Sequence, residues 1–233
     1  MNETEIYTET IPFVLSLNGW ITGCLLLCFL SMTYVLSVTK NSLFQHINSF
    51  LYTRERNSIF NEQTMGDVHC KILLITQTCL LVSILSIYHF TNQQPCTFNE
   101  RNIPHLLAAY FFIILTFYLL KWIIYKFINW IFFNKVKSKL WSESYLLILS
   151  ILGFILFPVT LLGIYSHLSP SIISIINICI FIFSNLLLFY KCFSIFFNRL
   201  HGIFFLFVYF CTLEILPFFV LRRGVVFINE LFI

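Results

Sequence analysis

Long runs of apolar residues, separated by short polar or basic stretches, dominate the chain. Six runs lie near residues 13–37, 71–90, 105–124, 145–166, 171–190 and 202–221. Each has about the 20 residues that an α-helix needs to cross the hydrocarbon core of a bilayer. Membrane β-barrel strands would be ~10-residue segments of alternating polarity, which this pattern does not show. The sequence therefore predicts an all-α, polytopic membrane protein with six transmembrane helices, arranged as three hairpins in one domain of residues 1–233.

Helix-start residues precede four of these runs, the second to the fifth. Ser169 and Pro170 open the fifth run, and Ser142 stands just before the fourth. A serine side chain accepts a hydrogen bond from the first N–H groups of a helix, and proline fits the first helical position. We therefore expect the fourth and fifth helices to begin at these residues.

The composition excludes a water-soluble protein. Hydrophobic residues make up 59% of the chain and charged residues 10%, whereas soluble domains carry about 25% charged residues. The net charge of +4 does not indicate a nucleic-acid partner, because the basic residues lie beside the apolar runs. We expect the lipid bilayer and other membrane proteins as partners, and no nucleic acid.

Lysine and arginine are unevenly distributed between the two sides of the predicted bundle. If the N-terminus is outside, 11 of the 14 basic residues lie in the inner loops 38–70, 125–144 and 191–201 or at the adjoining span ends. The positive-inside rule then places both termini outside. Arg222 and Arg223 are the dissenting pair on the outer side. The basic residues expected at the inner membrane surface are Arg54, Arg56, Lys135, Lys137 and Lys139.

Two apolar segments on the inner side lie beyond the residues needed to cross the bilayer. As one helix, residues 105–133 would be about 43 Å long against a core of ~30 Å, so the segment "KWIIYKFINWIFF" (121–133) should leave the membrane or lie along its inner surface. In the first inner loop a second apolar helix face is formed by Leu43, Ile47, Phe50 and Leu51. It predicts a helix lying in the interface, and a docking surface for another protein is the alternative.

Aromatic residues and one lysine mark the predicted inner boundary. Lys121 is near enough to that boundary for its ammonium group to reach the headgroups, so snorkelling is the favoured interpretation, and a position lining the bundle interior is the alternative. An interfacial aromatic belt is predicted from Trp122, Tyr125, Trp130, Trp141, Tyr145 and Tyr190.

The sequences "YKFINWIFFNK" (125–135) and "YKCFSIFFNR" (190–199) are similar when one gap is allowed. Two duplicated hairpins of the same orientation would produce such a match. Chance similarity in a chain with 29 phenylalanines is the favoured interpretation.

A carboxylate, Glu214, interrupts the last apolar run. It lies seven residues before Leu221, about 10 Å below the outer boundary. At that depth an unpaired carboxylate is costly, so it should find donors in the protein or keep its proton. We predict a buried polar layer of Glu214, Asn18, Tyr110, Thr160 and Asn177, with helix breaks at Pro158 and Pro217.

Three roles are considered for Glu214. A hydrogen-bonded group that fixes helix packing is the favoured one. A proton or ion site and a contact with another subunit are the alternatives.

Catalytic chemistry is poorly represented. The one aspartate, Asp67, lies in an inner loop, and no HExxH, glycine-rich phosphate loop or GxSxG motif occurs. His89, His105 and His167 gather at the predicted outer ends but lack the helical spacing of metal ligands. We therefore predict no metal, no cofactor and no enzymatic activity.

Several stretches carry a resemblance to a known family. They are "RERNSIF" before "ITQTCLLVS", "WSESYLLILSILGFILFP", and "YFCTLEILPFF" following "FYKCF". From about Phe50 onward the chain resembles an integral membrane family of Bacteroidota, described as a domain of unknown function. The resemblance implies a multi-pass protein of the bacterial inner (cytoplasmic) membrane and makes Glu214 part of a "CTLEILP" motif.

These observations favour a non-catalytic inner-membrane subunit, or an assembly or accessory factor, of an envelope protein complex. The alternative is a small ion- or proton-coupled transporter that uses Glu214, since proline-interrupted helices often surround transport sites.

The predicted topology is tested by cysteine-accessibility labelling. Residues near Glu5 and Gln94 should be labelled from outside, and residues near Arg56 and Lys137 from inside. Labelling at Lys137 from the outer face would overturn the orientation.

Glu214 is tested with two substitutions that separate packing from proton handling. If Glu214 has a structural role, Glu214→Gln should be nearly silent, whereas Glu214→Leu should lower stability by ~0.6–2 kcal/mol, as for other interhelical polar contacts. If Glu214 handles protons, Glu214→Gln should abolish function and leave the folded protein intact. Thermal unfolding in mild detergent measures the first effect.

Overall fold

The computed structural model describes residues 18–51, 65–93, 103–132, 135–166 and 169–196, with positions 219, 221, 223 and 224. Five helices are found over the five long ranges: α1 (Gly19–Leu51), α2 (Met65–Gln93), α3 (Ile103–Phe132), α4 (Lys135–Tyr165) and α5 (Pro170–Phe196). Each is long and apolar enough to cross a membrane. The predicted all-helical membrane class is thereby confirmed. The sixth apolar run, 202–221, and the first residues of the predicted first span lie almost entirely outside the described residues.

The helices are longer than the apolar runs that predicted them. α3 has 30 residues and α4 has 31, so each is about 45 Å long and exceeds the ~30 Å core. Residues 125–132 simply continue α3, and the segment up to Leu51 continues α1 instead of forming a separate interfacial helix. Hydropathy predicts only the part of a helix that lies in lipid. The backbone hydrogen bonds of the helix can continue beyond the end of the apolar run.

The helix starts predicted from serine are right for α5 and wrong for α4. The Ser169 carbonyl oxygen accepts hydrogen bonds from the N–H groups of Ile172 at 3.0 Å and Ile173 at 3.4 Å, and Pro170 is the first residue of α5. Ser142 lies inside α4, because the basic stretch before it is already helical.

Pro158 does not end α4, although a helix break was predicted there. The helix runs from Lys135 to Tyr165 with this proline inside it. Proline removes one backbone hydrogen bond from a helix interior, and in a membrane neighbouring side chains and local adjustments can compensate for that loss.

α2 and α4 form the centre of the described bundle. α2 packs against α1, α3 and α4, and α4 also packs against α3 and α5. One apolar core joins all five helices and includes Leu25, Ile84, Leu106, Leu156 and Ile173. The outward faces of α1, α3 and α5 are largely apolar and exposed, as expected for surfaces that meet lipid.

The α2–α4 contact is unusually close at Gly153. A Cβ atom added there would overlap Thr78 Oγ1 and would lie 3.5 Å from the Leu74 carbonyl oxygen. The Thr78 hydroxyl donates to the carbonyl oxygen of Leu74 at 2.7 Å and also to that of Leu149, in α4, at 3.1 Å. Glycine therefore permits an interhelical hydrogen bond that a larger residue would displace.

α1 joins this pair through polar and aromatic contacts. The Ser31 hydroxyl donates to Gln77 Oε1 of α2 at 2.8 Å. The rings of Phe29 and Phe157 stack with centroids 6.1 Å apart. These contacts place α1 beside both central helices.

The α2–α4 contact predicts that Gly153→Ala lowers the free energy of unfolding by ~1–3 kcal/mol, the usual cost of overpacking. The added methyl group must displace the Thr78 hydroxyl from Leu149. Unfolding in mild detergent, followed by circular dichroism, measures the change.

Gly23→Ala is the matched control, because no atom lies within 4 Å of a Cβ added at that position. Alanine is the better helix former, so the stability of this variant should stay the same or rise by up to ~1 kcal/mol. Adding Thr78→Ala to Gly153→Ala should restore part of the loss, since it removes the overlapping hydroxyl. A Gly153→Ala protein as stable as the wild type would contradict the proposed role of this contact.

Candidate functional site

The polar layer predicted around Glu214 lies only partly within the described residues. Glu214 and Pro217 fall outside them. Tyr110 and Thr160 are fully buried, at 0% exposure each, and Asn177 is partly buried. The layer as a whole stays a prediction, and four of its five members, Asn18, Tyr110, Thr160 and Asn177, lie within the described residues.

Thr160 and Asn177 use their polar groups differently. The Thr160 hydroxyl donates to the carbonyl oxygens of Leu156 at 2.7 Å and Phe157 at 2.9 Å. Its one proton is thus directed at its own helix and not at a neighbouring span. Asn177 Oδ1 is buried and accepts no hydrogen bond from the described part of the chain.

Asn18 has a local role at the start of α1. Its Oδ1 accepts a hydrogen bond from the Trp20 N–H at 3.1 Å, and its carbonyl oxygen accepts one from the Thr22 N–H at 3.2 Å. This is the arrangement of a helix N-cap, a role that the depth argument from sequence did not assign.

Lys121 lies inside the bundle, which corrects the expectation that it snorkels. Its side chain is 8% exposed, and Nζ lies 6.0 Å from the centroid of the Phe117 ring, one turn nearer the middle of α3. Lys121 faces the neighbouring helices, so its stem does not extend towards the helix end. Lys126, on the same helix, is exposed instead, with Nζ 5.0 Å from the Trp122 ring.

Three residues of the predicted aromatic belt are buried between helices, and we call them the aromatic floor: Tyr125, Trp141 and Tyr145. Their exposures are 2%, 1% and 3%. The Tyr125 ring centroid is 5.3 Å from that of Trp141 and 5.5 Å from that of Tyr145. Leu188 and Cys192 of α5 pack into the same cluster. The floor thus joins α3, α4 and α5 at the end of the bundle near Lys121 and Lys191, the lysine-rich end.

A cleft of about 40 Å³ lies above this floor, between α3, α4 and α5. We call it the lysine cleft. Its polar lining consists of Tyr118, Lys121, Tyr145, Ser184 and Asn185. Its apolar lining consists of Phe117, Ile148, Leu149, Leu152, Phe181 and Leu188. A buried cation therefore stands beside hydroxyl and amide groups in an otherwise apolar cavity.

The model of one protein family, described as Domain of unknown function (DUF4271), matches residues 21–225. The chain belongs to this family. The match includes nearly all of α1, where the resemblance seen in the sequence was looser, and it extends over the run that contains Glu214. Neither the curated proteins nor the solved structures gave a match.

Within this DUF4271 chain, the two similar segments are not equivalent in burial. Tyr125 is 2% exposed and Lys126 is exposed, whereas Tyr190 is 54% exposed and Lys191 is 3% exposed. The two Tyr-Lys pairs therefore face opposite ways relative to the bundle. This difference favours chance similarity over duplication.

The remaining predicted residues are spread along the chain. Arg54 and Arg56 lie outside the described residues, and Lys135 is the first residue of α4. Lys137 is partly buried and Lys139 is exposed. Of the histidines considered for a metal, His89 lies 3.2 Å, through Nδ1, from the Ser174 hydroxyl, His105 is exposed and His167 is outside the described residues.

Ser184 and Asn185 were missed by the sequence analysis. One sequence pattern could have indicated them: Asn177 and Ser184 are seven residues apart in an otherwise apolar run. Residues seven apart share one helix face, and this face also carries the buried Ile173 and Leu188. A polar stripe on the packed side of α5 was therefore detectable.

Proposed function

We propose that this protein is a non-catalytic, multi-pass subunit, or an assembly or accessory factor, of a membrane protein complex. We further propose that it resides in the inner membrane of a bacterium of the Bacteroidota with both termini outside. The apolar helices support the membrane location, and the "CTLEILP" motif supports the bacterial group.

The observation that carries the proposal is how the buried hydroxyl groups of α2 and α4 are used. Each donates to a carbonyl oxygen one turn earlier in its own helix: Thr78, Ser83, Thr91, Ser150 and Thr160. An ion or proton path needs polar groups that line a cavity and bind the passing species. Hydroxyl groups that already donate to the backbone of their own helix are not available to a passing ion. The polar groups at the centre of the described bundle therefore fit a structural role better than a transport role.

The α2–α4 contact agrees with this interpretation. Alternating access in transporters moves one group of helices against another. Here α2 and α4 are joined by the Thr78–Leu149 hydrogen bond and by the close approach at Gly153. The alternative function, ion or proton transport, depends on Glu214, which lies outside the described residues.

Partner identification tests the proposal. The full chain, tagged and purified in a mild detergent, should retain at least one other membrane protein in a fixed ratio, as shown by quantitative mass spectrometry. A tagged membrane protein of similar size and unrelated sequence serves as the control. A solitary monomer without a stoichiometric partner would count against the proposal, as would proton flux in proteoliposomes that Glu214→Gln abolishes.

A further inference from the structure

One turn of α4 lacks a backbone hydrogen bond. Pro158 lies inside this helix, which is continuous from Lys135 to Tyr165. Proline has no backbone N–H, so the carbonyl oxygen of Phe154, four residues earlier, receives no donor from it. The turn from Phe154 to Pro158 is therefore held less firmly than an uninterrupted helical turn.

The Thr160 hydroxyl weakens the turn that follows. It donates to the carbonyl oxygens of Leu156 at 2.7 Å and Phe157 at 2.9 Å. In an α-helix these oxygens are also the acceptors of the backbone N–H groups of Thr160 and Leu161. A hydroxyl that bonds back to the preceding turn competes with the backbone and often bends the helix. The segment from Phe154 to Leu161 is thus weakened by two neighbouring residues.

The part of α4 before this segment is fixed on α2. The Leu149 carbonyl oxygen accepts a hydrogen bond from the Thr78 hydroxyl at 3.1 Å. At Gly153 the two helices approach so closely that an added Cβ atom would overlap Thr78 Oγ1. Both contacts precede Phe154, so they hold the inner part of α4 whatever the direction of the outer part.

The part of α4 after this segment contacts α1 and α5. A Cβ atom added at Gly163 would lie 3.3 Å from Cγ2 of Ile173 in α5 and 4.0 Å from Cε1 of Tyr88 in α2. The Tyr165 hydroxyl donates to Thr22 Oγ1 of α1 at 3.0 Å. A change in the direction of the outer part of α4 would therefore be passed on to the outer ends of α1 and α5.

We propose that α4 is a hinged helix, in which residues 159–165 change direction at Pro158 while the inner part stays on α2. Proline kinks commonly exceed ~20°, and Tyr165 lies seven residues beyond Pro158, or about 10 Å. The outer end of α4 would then move by about 3–4 Å. This inference goes beyond the proposed function and does not depend on it. Such a hinge lets the outer end adjust without disturbing the α2–α4 contact.

Distances between pairs of spin labels test the hinge in the full chain. The labels are attached to p-acetylphenylalanine, so the native cysteines stay in place, and the protein is studied in phosphatidylcholine nanodiscs. One pair joins Ile72 of α2 to Leu162, beyond the proline, and the other joins Ile72 to Ile155, before it. All three side chains are exposed. Double electron–electron resonance should give a distribution about 2 Å wider for the Leu162 pair, because Leu162 lies about 6 Å beyond the hinge.

Three substitutions identify the cause of this extra width. Pro158→Ala restores an N–H donor for Phe154 and should narrow the Leu162 distribution to the width of the Ile155 distribution. Thr160→Val keeps the shape of the side chain without its hydroxyl and should narrow the distribution part of the way. Val159→Ala is the matched control, because it changes a neighbouring side chain and no backbone donor, and it should leave the width unchanged.

The hinge is overturned if the two wild-type distributions are equally wide, or if Pro158→Ala leaves the Leu162 distribution as wide as before. It is also overturned if Val159→Ala narrows that distribution as much as Pro158→Ala does. A Thr160→Val distribution as wide as that of the wild type would overturn the part assigned to the hydroxyl. Alanine is a far better helix former than proline, so Pro158→Ala should fold, and circular dichroism checks the helix content of every variant.

Discussion

The close approach of α2 and α4 is the constraint on which the described architecture depends. Gly153 lets the Thr78 side chain reach the backbone of α4, so the two central helices are held by both packing and a hydrogen bond. The other helices are attached to this pair: α1 and α3 contact both of its members, and α5 packs mainly on α4. Moving an apolar side chain from lipid into a helix interface gains little free energy, because both surroundings are apolar. Small-residue contacts and interhelical hydrogen bonds therefore determine how helices associate in a membrane.

The sequence predicted the class and the position of five spans because hydropathy is a local property. It did not predict rotation about the helix axes. In α3, Phe112 is 63% exposed and Ile114 is 2% exposed, yet both suit lipid and protein interior equally well. The prediction that Lys121 snorkels was wrong for the same reason. Its depth follows from counting residues, but whether it reaches headgroups or faces α4 depends on rotation, which only packing determines.

The bundle uses polar groups differently along its length. In the centre, hydroxyl groups are bound to their own helices and support packing. Near the lysine-rich end, a cation, an amide and hydroxyls line an open cleft above the aromatic floor. The two regions therefore differ in what their polar groups contact: the hydroxyls of the centre are bound to backbone, and those near the lysine-rich end line a cavity.

The hydrogen bonds of the buried hydroxyls also bear on how the bundle is assembled. α4 follows α2 by more than 40 residues, so during synthesis α2 enters the bilayer before its main partner exists. Thr78, Ser83 and Thr91 each have an acceptor within α2 itself, so these three hydroxyl groups are satisfied in lipid before α4 arrives. When α4 arrives, the Thr78 hydroxyl shares its one proton between the Leu74 carbonyl oxygen and that of Leu149. The α2–α4 contact therefore forms late in synthesis, and before it forms the Thr78 hydroxyl of α2 is not left without an acceptor.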